Sequence, residues 1–316
     1  MAQDLAPFAD AAATSAPQPD GEPNVGPGSE PGAAAEPGAE PAAPVTAAVL
    51  MAVYGRADPG FFIDALEAVI EKQTRRPDFA LVVVDGPAPP ALLEPFAAYR
   101  ARSPVPVEVL HLPKNVGHSC ALRAGVEKLV GRCTYVIRTD ADDLNRPERI
   151  AEQIAFMEAR PEMGVASSQV AIFEGDPSNR TGRRTMPPED IYAFARTRTP
   201  INHSVTIFRT RALEDATYPD SRLPFEDWWI SLRLVKAGWR LGVVDKEHLD
   251  FRGGSDMIAR RHGFDYAKLE IEFLTTIHRE GLISTPLYLR NIAQRIVLRL
   301  MPLDLVRKVY ALKTHR

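Results

Sequence analysis

Tyr135-Val136-Ile137-Arg138-Thr139-Asp140-Ala141-Asp142-Asp143 is the stretch whose reading decides the fold. A short run rich in aromatic and β-branched residues predicts a strand. It ends abruptly in three carboxylates within four residues. Like charges this close are costly to hold together without a cation. Two readings are open. The acids form a solvated turn that caps the helix after Arg146-Pro147-Glu148, or they hold a hard divalent cation, Mn²⁺ or Mg²⁺, which takes oxygen ligands and often only one or two carboxylates. A position at the end of a buried strand favours the second. A calcium-binding EF-hand loop counted from Asp140 is excluded, because it would need Gly where Asn145 stands and Glu where Ala151 stands.

The segments upstream repeat the same rhythm. Ala48-Val49-Leu50-Met51-Ala52-Val53-Tyr54 is continuously apolar, as expected of a strand covered on both faces. Asp58-Pro59 starts a helix whose stripe is Phe61, Phe62, Ala65, Leu66, Val69 and Ile70. A second buried strand over 79–84 ends in Asp85-Gly86-Pro87. A helix comes next over 91–102, then a strand over 107–112 and a helix over 119–129. Downstream, strands are predicted over 164–173, 205–208 and 241–244, with a helix over 228–237; residues 174–185 read as a loop. Strands alternating with helices predict an α/β fold with a mostly parallel central sheet flanked by helices. Ligands in such sheets bind beyond the carboxyl ends of the strands, where both Asp85 and Asp140 fall.

Composition sets the boundaries. Residues 1–44 contain nine prolines, seven acids and no Lys or Arg, and cannot bury enough surface to offset their ordering entropy; they are expected to be a disordered tail. The chain has 38 Lys and Arg against 41 Asp and Glu, so the part beyond the tail is only mildly basic, which argues against a nucleic-acid partner. Two cysteines, Cys120 and Cys133, fit a reducing cytoplasm. No secretory signal and no run of 18 apolar residues is found. Residues 284–316 carry seven bases and one acid interleaved with apolar residues, suiting two short amphipathic helices broken near Pro302. These either cap the core or lie on the anionic inner face of the plasma membrane as a peripheral contact.

Glu226-Asp227, at the start of the 228–237 helix, also has two readings. Acids there complement the helix dipole, or one of them is a general base.

In order along the chain, Glu71-Lys72-Gln73-Thr74, Val82-Val83-Val84-Asp85-Gly86-Pro87, Asn115-Val116-Gly117 with Ala121-Leu122-Arg123-Ala124-Gly125, Arg138 to Asp143, Arg146-Pro147 to Pro161-Glu162, Pro200-Ile201-Asn202-His203 with Phe208-Arg209, Glu226-Asp227-Trp228-Trp229, and Phe251-Arg252 with Arg260-Arg261 resemble the family-2 glycosyltransferases of the GT-A (Rossmann-like) fold. The likeness runs from Val45 to about Lys268 and is strongest to bacterial members that build exopolysaccharide and O-antigen, of the amylovoran type. It implies a domain over 45–268, with 269–316 a basic helical extension. It also implies a nucleotide-diphosphate sugar donor, a glycan or polyprenyl-linked acceptor, transfer with inversion, and Mn²⁺ or Mg²⁺. By the same resemblance Asp85 binds the nucleotide base, Asp140 the ribose or donor sugar, and Asp142 the metal. Asp227 is the general base and Glu226 orients the acceptor. Arg138 and His203 belong to donor-side motifs, and Arg260 and Arg261 hold the diphosphate. Three positions depart from the pattern: Val84 replaces an acid, Ser204 replaces a proline, and Arg123 replaces an asparagine, with a donor phosphate as its expected target. Two other classes remain. A sugar nucleotidyltransferase needs a Gly-rich phosphate loop after the first strand, whereas residues 52–57 contain one Gly. A non-catalytic sugar- or lipid-binding relative would be expected to have lost one of Asp140, Asp142 and Asp227.

Overall fold

The computed structural model describes residues 44–186, 191–253 and 263–300. The first half builds a parallel block: β1 (Ala47–Tyr54), α1 (Pro59–Ile70), β2 (Phe79–Asp85), α2 (Pro90–Arg102), β3 (Val107–Leu112), α3 (His118–Leu129) and β4 (Tyr135–Thr139). β1 lies between β2 and β4, parallel to both, and β3 continues beside β2. β1 is apolar throughout because helices cover both its faces. Ala48 and Leu50 pack toward α3, while Val49, Met51 and Val53 pack toward α1 and α2. At α1 the side chain of Asp58 accepts a hydrogen bond from Phe61 N at 3.0 Å, and Pro59 opens the first turn.

The second half turns mixed. It contains β5 (Leu144–Asn145), α4 (Arg149–Glu158), β6 (Met163–Phe173), β7 (Arg180–Arg184), α5 (Ile191–Ala195), β8 (Thr206–Arg209), α6 (Thr210–Asp215), α7 (Glu226–Lys236) and β9 (Arg240–Arg252). β8 inserts antiparallel between β4 and β6, and β9 runs parallel to β6. Among the described residues the sheet order is β3-β2-β1-β4-β8-β6-β9-β5, with β7 paired to β6. The parallel block is thus the expected one, and the antiparallel pairs come from β8 and the short strands β5 and β7. β7 corrects the loop expected over 174–185. Its residues are almost all exposed, so it carries no apolar alternation to read.

The C-terminal boundary also moves. α8 (Phe264–Arg279) and α9 (Thr285–Leu300) form a hairpin, and a division at 268/269 cuts through α8. Phe273, Leu274 and Ile277 of α8 belong to the same apolar core as α3 and α7, so this hairpin is part of the domain. The tail 1–43, the second helix expected beyond Pro302, and Arg260 and Arg261 lie outside the described residues.

Candidate active site

β4 delivers Asp140 to the carboxyl edge of the sheet, and the four residues of the acidic turn separate at once. Asp140 accepts a hydrogen bond from Arg138 Nη2 at 2.6 Å. Burial pushes its carboxyl up, but Arg138, His118 and His203 outweigh that and the net shift is down. Asp142 faces outward, and its carboxyl is raised, first by its recess and then by the charge of Asp140. Asp143 turns inward and is fully buried; its Oδ1 accepts from Arg252 N at 3.0 Å. It anchors the end of β9 and is turned away from the side on which Asp142 is presented.

Beneath the turn lies a buried scaffold that the sequence reading did not assign. Arg149 of α4, fully buried, donates to the carbonyls of Arg138 at 2.7 Å and Thr206 at 3.1 Å, and also to the side chains of Asn145 and Gln153. Gln153 in turn donates to Val205 O at 2.7 Å and Ser168 Oγ at 2.9 Å. One helix thereby ties β4 to β8 and β6 directly behind Asp140. The available signal was the i,i+4 spacing of Arg149 and Gln153.

Arg138 is 2% exposed. Its Nη2 lies 2.6 Å from both His118 Nε2 and Asp140 Oδ1, while Nε and Nη1 have no partner among the described residues. It stands behind the acids and fixes them. Opposite, α7 starts at Phe225, whose left-handed backbone (φ 61°) is the strained step that aims Glu226 and Asp227 into the site. Asp227 Oδ1 accepts from Trp228 N at 2.8 Å, and its carboxyl is raised, first by burial and then by Glu226. Glu226 Oε1 lies 3.5 Å from His203 Nδ1 and 3.9 Å from His118 Nε2. His203 Nε2 meets Tyr218 Oη at 2.7 Å, and burial, then Arg138, holds the imidazole well below its usual range. His118, His203 and Glu226 each present one ligand atom within 4.8 Å of the others, a second constellation able to hold a cation.

Three cavities meet at His118. One of about 560 Å³ is lined by Tyr54, Arg56, Asp85, Asn115 and Gly117. A second, about 650 Å³, is lined by Arg56, Phe61, Asp140, Asp142 and Arg252. The third, about 810 Å³, is lined by Asp140, His203, Glu226 and Asp227 among others. His118 and Arg56 are two lining residues that sequence reasoning missed; the first comes just after the Asn115-Val116-Gly117 turn and the second just after the end of β1.

One expected role changes, and it is not that of Asp85. Asp85 lines the first cavity, and its two carboxylate oxygens also accept from Val116 N at 2.7 Å and Gly117 N at 3.0 Å, which clamps the loop over 115–117 and leaves lone pairs for a ligand. Arg123 reaches none of the three cavities. Five residues beyond His118 it points to another side of α3, where it binds Glu127 at 2.9 Å and Tyr218 O at 3.2 Å. The remaining described candidates, Arg138, Asp140, Asp142, His203, Glu226 and Asp227, come together around the trough.

A sheet of this order with carboxylates at the crest of β4 and the start of α7 defines an α/β domain of the GT-A fold. Residues 48–216 match the family described as Glycosyl transferase family 2, and the chain belongs to that family. It is 31% identical over 268 residues, 83% of this chain and 97% of the relative, to the amylovoran biosynthesis glycosyltransferase AmsE of Erwinia amylovora. It is 28% identical over 256 residues, 81% of this chain and 91% of the relative, to the UDP-Gal:alpha-D-GlcNAc-diphosphoundecaprenol beta-1,3-galactosyltransferase of Escherichia coli. Its fold is similar to that of the mannosyltransferase PcManGT from Pyrobaculum calidifontis in complex with GDP-Man and Mn²⁺, with TM-score 0.57 and 15% identity over 81% of this chain and 70% of that one.

Proposed function

We propose that the chain transfers a sugar from a nucleoside diphosphate sugar to an acceptor hydroxyl, with inversion, in the synthesis of a cell-surface polysaccharide. The observation that carries this reading is that Asp140 and Asp142 on one side and Glu226 and Asp227 on the other line one trough joined at His118. The nucleotide base fits the cavity below Tyr54, whose wall is the loop that Asp85 holds. Arg56 and Arg252, facing the second cavity, suit the diphosphate. The acceptor enters the third cavity, where Asp227 takes its hydroxyl proton as the oxygen attacks the anomeric carbon. Glu226, beside His203 and His118, orients that hydroxyl. Asp140 faces the donor sugar and is held by Arg138.

The residues fit a divalent cation. Asp142 and Asp140 offer oxygen ligands, and their mutual charge, which raises Asp142, is what a cation relieves. Bound there, Mn²⁺ or Mg²⁺ would offset charge on the leaving diphosphate. Purified chain is screened against nucleoside diphosphate sugars with Mn²⁺, reading released nucleoside diphosphate. One donor is expected to be turned over, and Asp142→Ala to abolish it in a folded protein. Full activity in that variant would sink the metal assignment; turnover of no donor would sink the transferase reading.

A lipid-linked acceptor is favoured by the Escherichia coli relative, whose substrate is diphosphoundecaprenol-linked. No described helix is long and apolar enough to cross a membrane. Phe264, Leu269, Leu289, Ile296 and Val297 nevertheless project from α8 and α9 into solvent, and Arg290 lies among them. These residues suit peripheral contact with an anionic bilayer at the cytoplasmic face. Flotation with vesicles of anionic and neutral lipid tests this; equal recovery with both, or with neither, counts against it.

A further inference from the structure

The third cavity is lined by two chemically different sets of groups: the carboxylates Glu226 and Asp227, and the guanidiniums of Arg183 and Arg184 of β7, Arg198 after α5, and Arg295 of α9. Glu270, a further acid of the lining, is already matched. Arg299 binds it at 2.7 and 3.0 Å, and Arg295 Nε lies 3.4 Å away. Arg183 and Arg198 are exposed and form no ion pair with a described residue. Arg198 stacks over Phe194 at 4.8 Å and Arg184 over Phe251 at 4.9 Å, which stiffens the guanidinium planes at the cavity wall. Trp228, Phe273 and Leu274 add apolar wall to the same cavity. A neutral sugar acceptor makes no use of the exposed guanidiniums of Arg183 and Arg198. The donor's own diphosphate has a separate place beside Arg56 and Arg252, across His118 and Asp140.

We propose that Arg183 and Arg198 form a subsite for a phosphate or diphosphate ester carried by the acceptor, so that the acceptor's sugar sits at Asp227 and its anionic linker at the arginines. The assignment rests on the glycosyltransferase reading and specifies its acceptor class. Guanidinium forks match phosphate oxygens in paired hydrogen bonds. α8 and α9 furnish part of the same wall, so an apolar chain beyond the diphosphate would leave the cavity beside the exposed apolar residues of that hairpin.

The test uses the full chain with Mn²⁺ and the nucleoside diphosphate released from its best donor, both saturating, so that the donor side is filled. Farnesyl diphosphate and inorganic pyrophosphate are titrated by calorimetry. Arg183→Gln/Arg198→Gln is expected to weaken farnesyl diphosphate binding about tenfold or more, the scale of lost charge-assisted hydrogen bonds. Arg211→Gln, an exposed arginine on α6 that lines none of the three cavities, is expected to stay within about twofold, since a remote surface charge is screened. Nucleoside diphosphate affinity and donor hydrolysis should be unchanged in both. Pyrophosphate binding with the same arginine dependence supports the diphosphate itself as the recognised group. Farnesyl diphosphate binding that ignores the double variant, absent binding, or tighter binding of glucuronic acid than of either probe overturns the subsite while leaving donor hydrolysis, and the transferase reading, intact. Absence of hydrolysis with every donor removes both.

Discussion

Gly86 closes β2 and sets the wall of the first cavity, so Gly86→Ala is a sharp test of how the site is held. Its φ is +86°, and a Cβ there would lie 2.5 Å from Asn115 N, 2.9 Å from Lys114 C and 3.0 Å from Asn115 Cα. All three are backbone atoms and cannot rotate away. Gly131 has a similar φ of +74° and nothing within 4 Å of its Cβ position, so Gly131→Ala isolates the conformational cost. That cost is about 1–2 kcal/mol, partly offset by about 0.4–1 kcal/mol from a less flexible unfolded chain. At Gly86 the overlap adds about 1–3 kcal/mol. Gly131→Ala should therefore lose about 1 kcal/mol or less, and Gly86→Ala about 2–4 kcal/mol, measured by urea denaturation with equal m-values. The overlap also pushes residues 114–117 outward and stretches the bonds from Val116 N and Gly117 N to Asp85. Nucleoside diphosphate affinity should fall in Gly86→Ala and hold in Gly131→Ala. If both variants lose the same stability and both keep nucleotide affinity, the 114–117 loop is not built against Gly86.

Asp227→Asn keeps an oxygen for Trp228 N but cannot accept a proton; turnover should drop about 10²- to 10⁴-fold with nucleotide binding retained, and steady-state kinetics that show less than a threefold change would discard it as the base. Because burial and Glu226 raise its carboxyl, the acidic limb of kcat/KM in the native chain should lie above the ordinary Asp value of about 3.9, activity being lost as pH falls through the raised value. A pH–rate profile with its limb at or below that value would contradict the site's electrostatics. His203 and His248 are both held below their usual range, chiefly by burial. Below about pH 6.5 the unfolded chain therefore takes up protons that the folded chain refuses, so thermal stability should decline from there downward, whereas a midpoint constant to pH 5 would show them freely protonated. Arg149→Lys cannot serve the carbonyls of Arg138 and Thr206 together with Gln153 and should cost about 3 kcal/mol or more; a midpoint near the native one would mean that the network is not holding β4 to β8.

How legible each feature is in the sequence depends on where its interaction partner lies. β1, β2 and β4 were legible because strands covered on both faces have no polar face to confuse the pattern. Asp140 and Asp142 were legible as a pair because their mutual repulsion is local, two residues apart. β7 was not, since an exposed edge of Arg, Thr and Gly looks like loop and is stabilised by its pairing to β6 alone. Asp143 is the instructive case. It shares the composition of its neighbours, yet its carboxylate is held by a backbone amide 109 residues away, a partner no local pattern shows. Arg123 fails for the opposite reason: its charge suggested a phosphate, but the pitch of α3 decides which side a side chain faces, and Tyr218 O was already there. The same logic bears on Arg138 and Arg149. Both are arginines at the carboxyl edge of the sheet, and both hold the acids in position, one through Asp140 and His118, the other through main-chain carbonyls. Cations left to meet a ligand are therefore to be sought among arginines that line a cavity without serving the scaffold, and Arg56, Arg183 and Arg198 satisfy that condition.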